Sequence, residues 1–230
     1  MAAAYERTRP EYPAAAVERA AAELGLDTDA TVLDLGAGTG KLTRRLRERF
    51  ARVVAVEPDG AMRAHIGGDA RAGSAESIPA ADRSVDAVFA GDAFHWFDPA
   101  PALAEIVRVL RPGGGVALIW NTWGGDREML PAAFRADLDE IWARFHAPDR
   151  AFPDWHDGFV GTPFGPLGDA ELPQKLRVSG RDLVDLWLTG STPASIPDEE
   201  RNAVAERAYP LMAPEYTLRF STLLHWTRLR

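Results

Sequence analysis

Cysteine is absent from this chain of 230 residues, and its absence removes several kinds of chemistry at once. Without thiols the chain has no disulfides, no thiolate nucleophile and no cysteine-bound metal. Long apolar runs are also missing, and the opening stretch MAAAYERTRP lacks the apolar core of a secretion signal. We therefore expect a soluble, cytoplasmic protein with no membrane partner.

Positive charge is also scarce: 26 Lys and Arg stand against 34 Asp and Glu, giving a formal net charge of −8. Proteins that bind nucleic acids place clustered basic side chains on phosphates, so we expect no nucleic-acid partner. A chain of this length can bury about 70% of its extended-chain surface in one α/β domain. We predict a single domain over residues 1–230.

Glycine, by contrast, is concentrated in the stretch TVLDLGAGTGKLT, from Thr31 to Thr43. Residues 32–35 predict a short buried strand, and residues 41–50 predict a helix after the glycines. A strand–loop–helix unit of this kind offers free backbone N–H groups and the positive end of a helix dipole to a ligand. Asp34 ends the strand and, as a buried carboxylate, needs a partner.

The spacing of the glycines separates the nucleotide-binding patterns. A phosphate-binding loop requires Gly where Leu35 stands and Ser or Thr where Leu42 stands. The dinucleotide pattern G-x-G-x-x-G fits Gly36 and Gly38, but its third position is Lys41. A glycine-rich turn with a purely structural role is the alternative to a ligand site.

A second strand is predicted over residues 52–57 and ends in an acid, Glu57. An acid about 20 residues beyond the glycine loop binds ribose hydroxyls in nucleotide-binding folds. Alternatively, Glu57 caps the helix that begins near Asp59. Met62, in that helix, either lies against an adenine ring or packs in the core.

Strands and helices alternate from residue 31 to residue 121, which predicts a doubly wound, mostly parallel sheet with helices on both faces. Further strands are expected at 70–74, 84–90 and 116–120, with a helix starting at Asp98-Pro99 and ending at the Pro-Gly-rich residues 111–115. Beyond them we predict a helix at 129–145, a loop at 146–168, a strand at 171–178, helices at 181–188 and 198–209, and an antiparallel strand at 216–229. The fold class is α/β, a seven-stranded Rossmann-like sheet with a helical and loop insertion after strand 5. Its parts are an arm and helix (1–30), a ligand-binding core (31–121), a substrate-side insertion (122–170) and carboxyl-terminal strands and helices (171–230).

An acid, an imidazole and aromatic rings follow the fourth strand closely, at Asp92, Phe94, His95 and Trp96. Ligands bind beyond the carboxyl ends of parallel strands, so this segment should face the same crevice as the glycine loop. His95 is the first candidate for a general base and Asp92 the second. His95 serves equally well as a residue that orients a loop or a substrate through hydrogen bonds.

One loop also gathers possible metal ligands: His146, Asp149, Asp154, His156 and Asp157. The histidines lack the spacing of metal sites, and solvated polar loops are much commoner, so no metal is predicted. Trp123, Trp142 and Trp155 either line an apolar pocket for a substrate or pack in the core.

A family resemblance rests on six stretches: YERTRPEYP, VLDLGAGTGKLT, VVAVEPDGAM, GSAESIP, SVDAVFAGDAFHWFD and LRPGG. The second contains hydrophobic-Asp-hydrophobic-Gly-x-Gly-x-Gly. With these motifs the chain resembles the class I methyltransferases that depend on S-adenosylmethionine (SAM), in particular the small-molecule branch of type 11 and trans-aconitate methyltransferase-like enzymes. The stretches span residues 5 to about 121, and the last hundred residues carry no such motif.

The resemblance implies SAM as the cofactor and S-adenosylhomocysteine as its product. It implies cofactor contacts at Tyr5, Arg9, Asp34, Gly36, Ala37, Gly38, Glu57, Pro58, Met62, Ser74, Ala75 and Glu76. It implies substrate contacts at Tyr12, Phe94, Trp96 and Trp123. Tyr5, Arg9 and Tyr12 would belong to an arm that closes over the site, although an arm whose aromatic rings merely pack explains the same residues.

We expect methyl transfer by in-line displacement to an O, N or C atom of an unidentified small molecule, by a monomer or homodimer. Asp92 stands where similar sequences have Gln, which puts trans-aconitate itself in doubt as the substrate. Two alternatives are a SAM-binding protein without transferase activity and a nicotinamide-dependent oxidoreductase. The intact Asp34, glycines and Glu57 argue against the first, and Lys41 and the lack of a Tyr-x-x-x-Lys pair argue against the second.

Overall fold

The computed structural model describes residues 6–122, 127–145, 155–190 and 196–230. Several residues with predicted roles lie outside these described ranges: Tyr5, Trp123, His146, Asp149 and Asp154. No helix within the described ranges is long and apolar enough to cross a membrane.

Seven strands of the described chain form one sheet in the order β3-β2-β1-β4-β5-β7-β6. Neighbouring strands from β3 to β5 pair in parallel, and β7 runs antiparallel to β5. The strands are β1 (Thr31–Leu35), β2 (Arg52–Val56), β3 (Ala70–Arg71), β4 (Val85–Gly91), β5 (Leu110–Asn121), β6 (Gly168–Ser179) and β7 (Glu215–Arg228). The predicted seven-stranded, mostly parallel sheet with an antiparallel last strand is confirmed.

Helices occupy most of the connections between these strands. They are α1 (Ala14–Glu23), α2 (Lys41–Arg49), α3 (Gly60–Arg63), α4 (Pro99–Val109), α5 (Ala132–Phe145), α6 (Gly180–Leu188) and α7 (Asp198–Ala208). Short 3-10 turns lie at Phe94–Trp96, Arg127–Met129, Asp157–Phe159 and Tyr209–Leu211. The alternation of strand and helix predicted from residue 31 to residue 121 is therefore present.

The central strands are apolar on both faces because helices cover both sides of them. In β4, Phe89 belongs to the core cluster that contains α1 and α2. The neighbouring Val88 belongs to the cluster that contains α4. Successive side chains on a strand point to opposite faces, so one short apolar run supplies both cores.

The start of β5 differs from the sequence-based expectation. Residues 111–115 were expected to end a helix ahead of a strand at 116–120, but the strand already begins at Leu110. Leu110 pairs with Val85 and Gly115 pairs with Ala87, and the register shifts between these two pairs. Pairing with β4 therefore outweighs the local Pro-Gly signal, and the irregularity absorbs the residues between.

The other differences lie at the ends of elements. Strand β3 is shorter than the predicted 70–74, and β6 is longer than the predicted 171–178. The helix predicted at 129–145 begins at Ala132, after the turn at Arg127–Met129. Of the loop predicted at 146–168, the described part holds Phe159 and Phe164 in the core.

The chain divides into two compact units. The first comprises Met1–Pro10, Thr122–Ala151 and Pro173–Ser221, and its core includes Phe134, Leu138 and Leu183. The second comprises Glu11–Asn121, Phe152–Leu172 and Thr222–Arg230, and it contains β1 to β5. The single domain over residues 1–230 stays a prediction.

Candidate functional site

The candidate site lies within the second unit, at the edge of the sheet where β1, β2, β4 and β5 end. Because these strands are parallel, the residues that follow each of them emerge at the same edge. The glycine loop follows β1, Glu57 follows β2, Asp92 follows β4, and Asn121 is the last residue of β5. Stretches that are far apart in sequence therefore meet as predicted.

The backbone N–H groups of the glycine loop are already used within the protein. Gly36 and Ala37 both donate to the carbonyl oxygen of Val56, at 2.9 and 3.0 Å. Gly38 donates to Oε2 of Glu57 at 2.8 Å. The expectation of free N–H groups is wrong for these three residues, because the end of β2 accepts their hydrogen bonds.

Two glycines of this loop need to be glycine for different reasons. Gly36 has φ of +71°, and a Cβ there would lie 2.8 Å from Cβ of Ala93, so the loop after β1 touches the segment after β4. Gly38 has φ of +57°, and a Cβ there would meet no atom within 4 Å. Since positive φ strains other residues, both backbones favour glycine, but only Gly38 faces open space that a ligand can enter.

Glu57 is 6% exposed and joins the glycine loop to the start of α3. Its Oε1 accepts from the N–H of Asp59 at 2.9 Å. Asp59, not Glu57, caps α3, because its side chain accepts from the N–H groups of Ala61 and Met62. Each carboxylate oxygen of Glu57 has a further lone pair, so its contacts are compatible with ribose binding.

Asp34 is the most deeply buried acid of the site, with 0% exposure. Its Oδ2 accepts from the hydroxyl of Thr43 at 2.5 Å, whereas its Oδ1 has no hydrogen-bond partner among the described residues. Burial, together with the nearby charge of Glu57, raises the pKa of Asp34 to about 7. Buried carboxylate oxygens nearly always accept a hydrogen bond. The lack of a donor to Oδ1 within the described ranges therefore suggests a functional role for Asp34 beneath the glycine loop.

The residues predicted at the adenine edge lie on a turn after β3. Ala75 is buried, and Ser74 and Glu76 are half-buried. Oε1 of Glu76 accepts from the N–H of Asp98 at 3.0 Å. Burial alone would raise the pKa of Glu76, but hydrogen bonds from the backbone of Asp98 and from Ser74 hold it below its usual value.

Asp92 follows the end of β4, and its carboxylate accepts hydrogen bonds from two donors. The phenol of Tyr12 donates to Oδ2 at 2.8 Å, and the N–H of Asn121 donates to Oδ1 at 3.3 Å. Asp92 has φ of +48°, a conformation that costs a non-glycine residue free energy. The buried Tyr12, predicted at the substrate, thus connects the segment before α1 to the end of β4.

His95 is bound by a residue for which no role was predicted. The indole Nε1 of Trp120, the penultimate residue of β5, donates to Nδ1 of His95 at 3.2 Å. Burial lowers the pKa of His95, which favours the neutral ring at neutral pH. Trp120 stands at the carboxyl end of a parallel strand, so the edge rule applied to β5 would have indicated it.

The two aromatic residues beside His95 have opposite environments. Phe94 is 1% exposed and packs against Phe97, Phe159 and Trp155. Trp96 is 55% exposed. The substrate contact predicted for Phe94 has no surface to use in this structure, because the ring is enclosed in the core, whereas Trp96 has ample surface.

The remaining predicted residues are dispersed. Pro58 is exposed and Met62 is half-buried. Arg9, in the first unit, donates to the carbonyl oxygen of Thr189 at 3.1 Å. Trp142 lies in the first unit and Trp155 in the second, where its ring centroid is 5.0 Å from that of Trp120. Within the described ranges, no group of three or more His, Cys, Asp or Glu is placed to hold a metal ion.

The fold and the site define an α/β protein with a glycine loop after its first strand, as in nucleotide-binding folds. The comparisons with known proteins agree with this class. Residues 33–118 match a family described as a methyltransferase domain. An uncharacterized methyltransferase of Mycobacterium tuberculosis is 53% identical over 92% of this chain and 76% of its own length. An uncharacterized methyltransferase-like protein of Schizosaccharomyces pombe is 34% identical over 87% of this chain and 79% of its own length.

The fold is shared with solved structures. A candidate type II methyltransferase from Anaeromyxobacter dehalogenans is 25% identical, with a TM-score of 0.65 over 96% of this chain and 97% of that one. The YcgJ protein of Bacillus subtilis is 17% identical and shares the fold, with a TM-score of 0.58 over 94% of this chain and 98% of that one. The chain belongs to the class I SAM-dependent methyltransferases, and its cofactor is SAM.

Proposed function

We propose that this chain transfers the methyl group of SAM to a small-molecule acceptor bound where β4 and β5 end. The observation that carries the proposal is the contact of the glycine loop with the segment after β4, at Gly36 and Ala93. This contact puts the cofactor loop beside the segment that presents Asp92 and His95. A methyl donor and an acceptor must meet in line, so adjoining sites on one edge are what the reaction requires.

The residues of the loop fit SAM. Gly38 faces open space, and its N–H and those of Gly36 and Ala37 are already bonded, so the groups left to meet a ligand are mainly acceptors. Acceptors suit a cofactor that has an ammonium group, a sulfonium and ribose hydroxyls. Glu57 would hold the ribose, and Oδ1 of Asp34, which has no donor among the described residues, would offer a further acceptor beneath the loop.

The bound sulfonium supplies an activated methyl group, so orientation and exclusion of water are the main tasks of the protein. Trp96 has the exposed ring to cover an acceptor or to favour positive charge, an effect of about 1 kcal/mol. Asp92 is the weaker candidate for a base, because hydrogen bonds from Tyr12 and Asn121 hold its carboxylate in place. His95 is therefore the side chain through which we expect the protein to act on the acceptor.

One relative supports an acidic acceptor methylated on oxygen, whereas the charge of the chain bears only on nucleic acid. The net charge of −8 does not suit nucleic acid. A malonyl-[acyl-carrier protein] O-methyltransferase of Coxiella burnetii is 34% identical over 55% of this chain and 43% of its own length. A carboxylate is already nucleophilic at neutral pH, so it needs no base from the protein.

The test is a turnover assay with purified protein, SAM and separate panels of carboxylic acids, phenols and amines. We expect S-adenosylhomocysteine to form only with one panel, in a one-to-one ratio with a product that is one methyl group heavier. Glu57→Gln should lose this activity, and Gly113→Ala, at the opposite end of β5, should retain it. Tight binding of SAM without turnover on any panel would favour a binding protein instead of an enzyme and would overturn the proposal.

A further inference from the structure

The hydrogen bond between Trp120 and His95 decides where the imidazole carries its hydrogen. An indole Nε1 is only a donor, whereas a neutral imidazole has one donor and one acceptor nitrogen. Because Trp120 donates to Nδ1 of His95, that nitrogen must be the acceptor. The hydrogen of the neutral ring is therefore on Nε2. A hydroxyl or water partner can both donate and accept and would leave the tautomer open, whereas an indole N–H can only donate.

The donor is better anchored than the acceptor. Trp120 lies in β5, where its neighbour Ile119 pairs with β4 on one side and Trp120 itself pairs with Leu223 of β7 on the other. Its ring packs at 5.0 Å from that of Trp155 and 5.7 Å from that of His225. His95, by contrast, belongs to a single 3-10 turn, Phe94–Trp96. A residue in a paired strand thus orients an imidazole on a short turn.

We propose that Trp120 is a positioning residue, which holds His95 as the tautomer with hydrogen on Nε2 and so makes it a hydrogen-bond donor to the methyl acceptor instead of a general base. This inference rests on the proposed function in one respect, the binding of the acceptor beside His95. The tautomer itself does not depend on any substrate.

The consequence for the reaction follows from where the lone pairs are. A general base needs a lone pair that faces the proton to be removed. The one lone pair of neutral His95 is bonded to Trp120, and Nε2 carries hydrogen, so His95 cannot take a proton without first losing that bond. The proposed carboxylate acceptor has already lost its proton, so its oxygen forms a bond to the methyl carbon as the carbon–sulfur bond breaks. The electron pair of the broken bond stays on sulfur. No proton moves to His95.

The first test measures the tautomer in the free enzyme by nitrogen NMR of isotope-labelled histidine, with the His95 signals assigned by their loss in His95→Gln. We expect the wild type to show Nδ1 without hydrogen and Nε2 with hydrogen. Trp120→Phe keeps an aromatic ring but removes the donor, so the ring should become a mixture of tautomers. Trp226→Phe, on the same sheet with its ring under Arg19, is the matched control and should leave His95 unchanged.

Hydrogen on Nδ1 in the wild type would overturn the proposal, as would the same tautomer in wild type and in folded Trp120→Phe. If Trp120→Phe does not fold, the wild-type spectrum alone decides. Because this experiment uses neither SAM nor acceptor, its failure is distinct from failure of the proposed function.

The second test uses the acceptor found in the turnover assay. Glutamine has an N–H donor but is no base, so we expect His95→Gln to retain kcat within about tenfold of wild type and His95→Ala to lose at least tenfold more. If His95 were a base, both variants would lose kcat equally, and the donor role would be wrong. Trp120→Phe should lower kcat more than it raises KM for SAM, because it alters the acceptor side alone.

Discussion

The two halves of the proposed active site are built in different ways. The proposed cofactor half, at the ends of β1 and β2, consists of a short run of glycines with Asp34 beneath it and Glu57 beside it. The proposed acceptor half, at the ends of β4 and β5, consists of side-chain pairs from separate parts of the chain. Tyr12 bonds Asp92 across 80 positions, and His95 bonds Trp120 across 25. The conformation of the backbone defines the first half, whereas hydrogen bonds between side chains define the second.

The electrostatics of the two halves also differ. Burial raises the pKa of Asp34 in the cofactor half to about 7, so that half can hold or release a proton near neutral pH. In the acceptor half, burial lowers the pKa of His95 and keeps it neutral.

The largest expected effect is the loss of SAM binding when a Cβ is added to the glycine loop of the cofactor half. Gly38→Ala and Gly113→Ala each put a Cβ on a residue with positive φ and no atom within 4 Å. Each should cost stability by about 1 kcal/mol. Only Gly38→Ala fills space beside the loop, so we expect it to weaken SAM binding by about a hundredfold, measured by calorimetry, while Gly113→Ala binds normally. Equal losses in the two variants would mean that strain, not ligand space, explains the glycine.

The second effect concerns Glu57. If Glu57 binds the ribose, wild type should bind SAM about tenfold more tightly than an analogue that lacks one ribose hydroxyl. Glu57→Gln should weaken SAM binding and largely abolish this preference, because the bidentate acceptor is lost. The coupling between the two changes, measured as in a double-mutant cycle, separates ribose binding from loop support. A preference that persists in the variant would limit Glu57 to its contacts with Gly38 and Asp59.

The third effect is the pH dependence caused by Asp34. Its folded pKa lies above its unfolded value, so its stabilising contribution is present below the unfolded pKa and is lost as pH rises through about 7. Asp34→Asn has no such loss. In urea unfolding, the stability of the variant relative to wild type should therefore rise between about pH 5 and about pH 8, by about 1–3 kcal/mol. If the difference in unfolding free energy between the variant and wild type does not change with pH, folding does not raise the pKa of Asp34.

The smallest effect tests the network of the acceptor half. Tyr12→Phe removes the phenol that donates to Asp92, which keeps the N–H of Asn121. The loss should be about 1–2 kcal/mol of unfolding free energy, with SAM binding unchanged. Tyr216→Phe, whose phenol contacts the exposed backbone of Ala213, should cost less. If Tyr12→Phe instead weakens SAM binding strongly, the two halves are coupled.

The same contrast explains what the sequence could predict. The strands and helices of the core depend on local patterns, such as apolar runs and turn residues, and their predicted alternation from residue 31 to residue 121 is confirmed. The sequence could not show that Val56 and Glu57 accept the hydrogen bonds of the loop, because those bonds depend on strand pairing. It also could not separate the buried Phe94 from the exposed Trp96, since both lie on one turn.

Trp120 was missed for a related reason. As the last apolar residue of a fully apolar strand, it has the pattern of a core residue, and only the folded sheet brings its indole to His95. The predicted start of β5 was wrong. Residues rich in Pro and Gly usually end a helix or a strand, but here pairing with β4 keeps them in a strand. Local sequence patterns predict where helices and strands occur. Contacts between residues at the ends of different strands can be predicted only once the pairing of those strands is known.

The central claim is that the glycine loop and Glu57 form a SAM site. The most direct test is a calorimetric titration of purified protein, freed of any bound ligand, with SAM, S-adenosylhomocysteine and NAD. We predict a dissociation constant in the micromolar range or tighter for the two adenosyl ligands and no binding of NAD. Folded protein that binds neither adenosyl ligand, or that binds NAD in their place, would contradict the account.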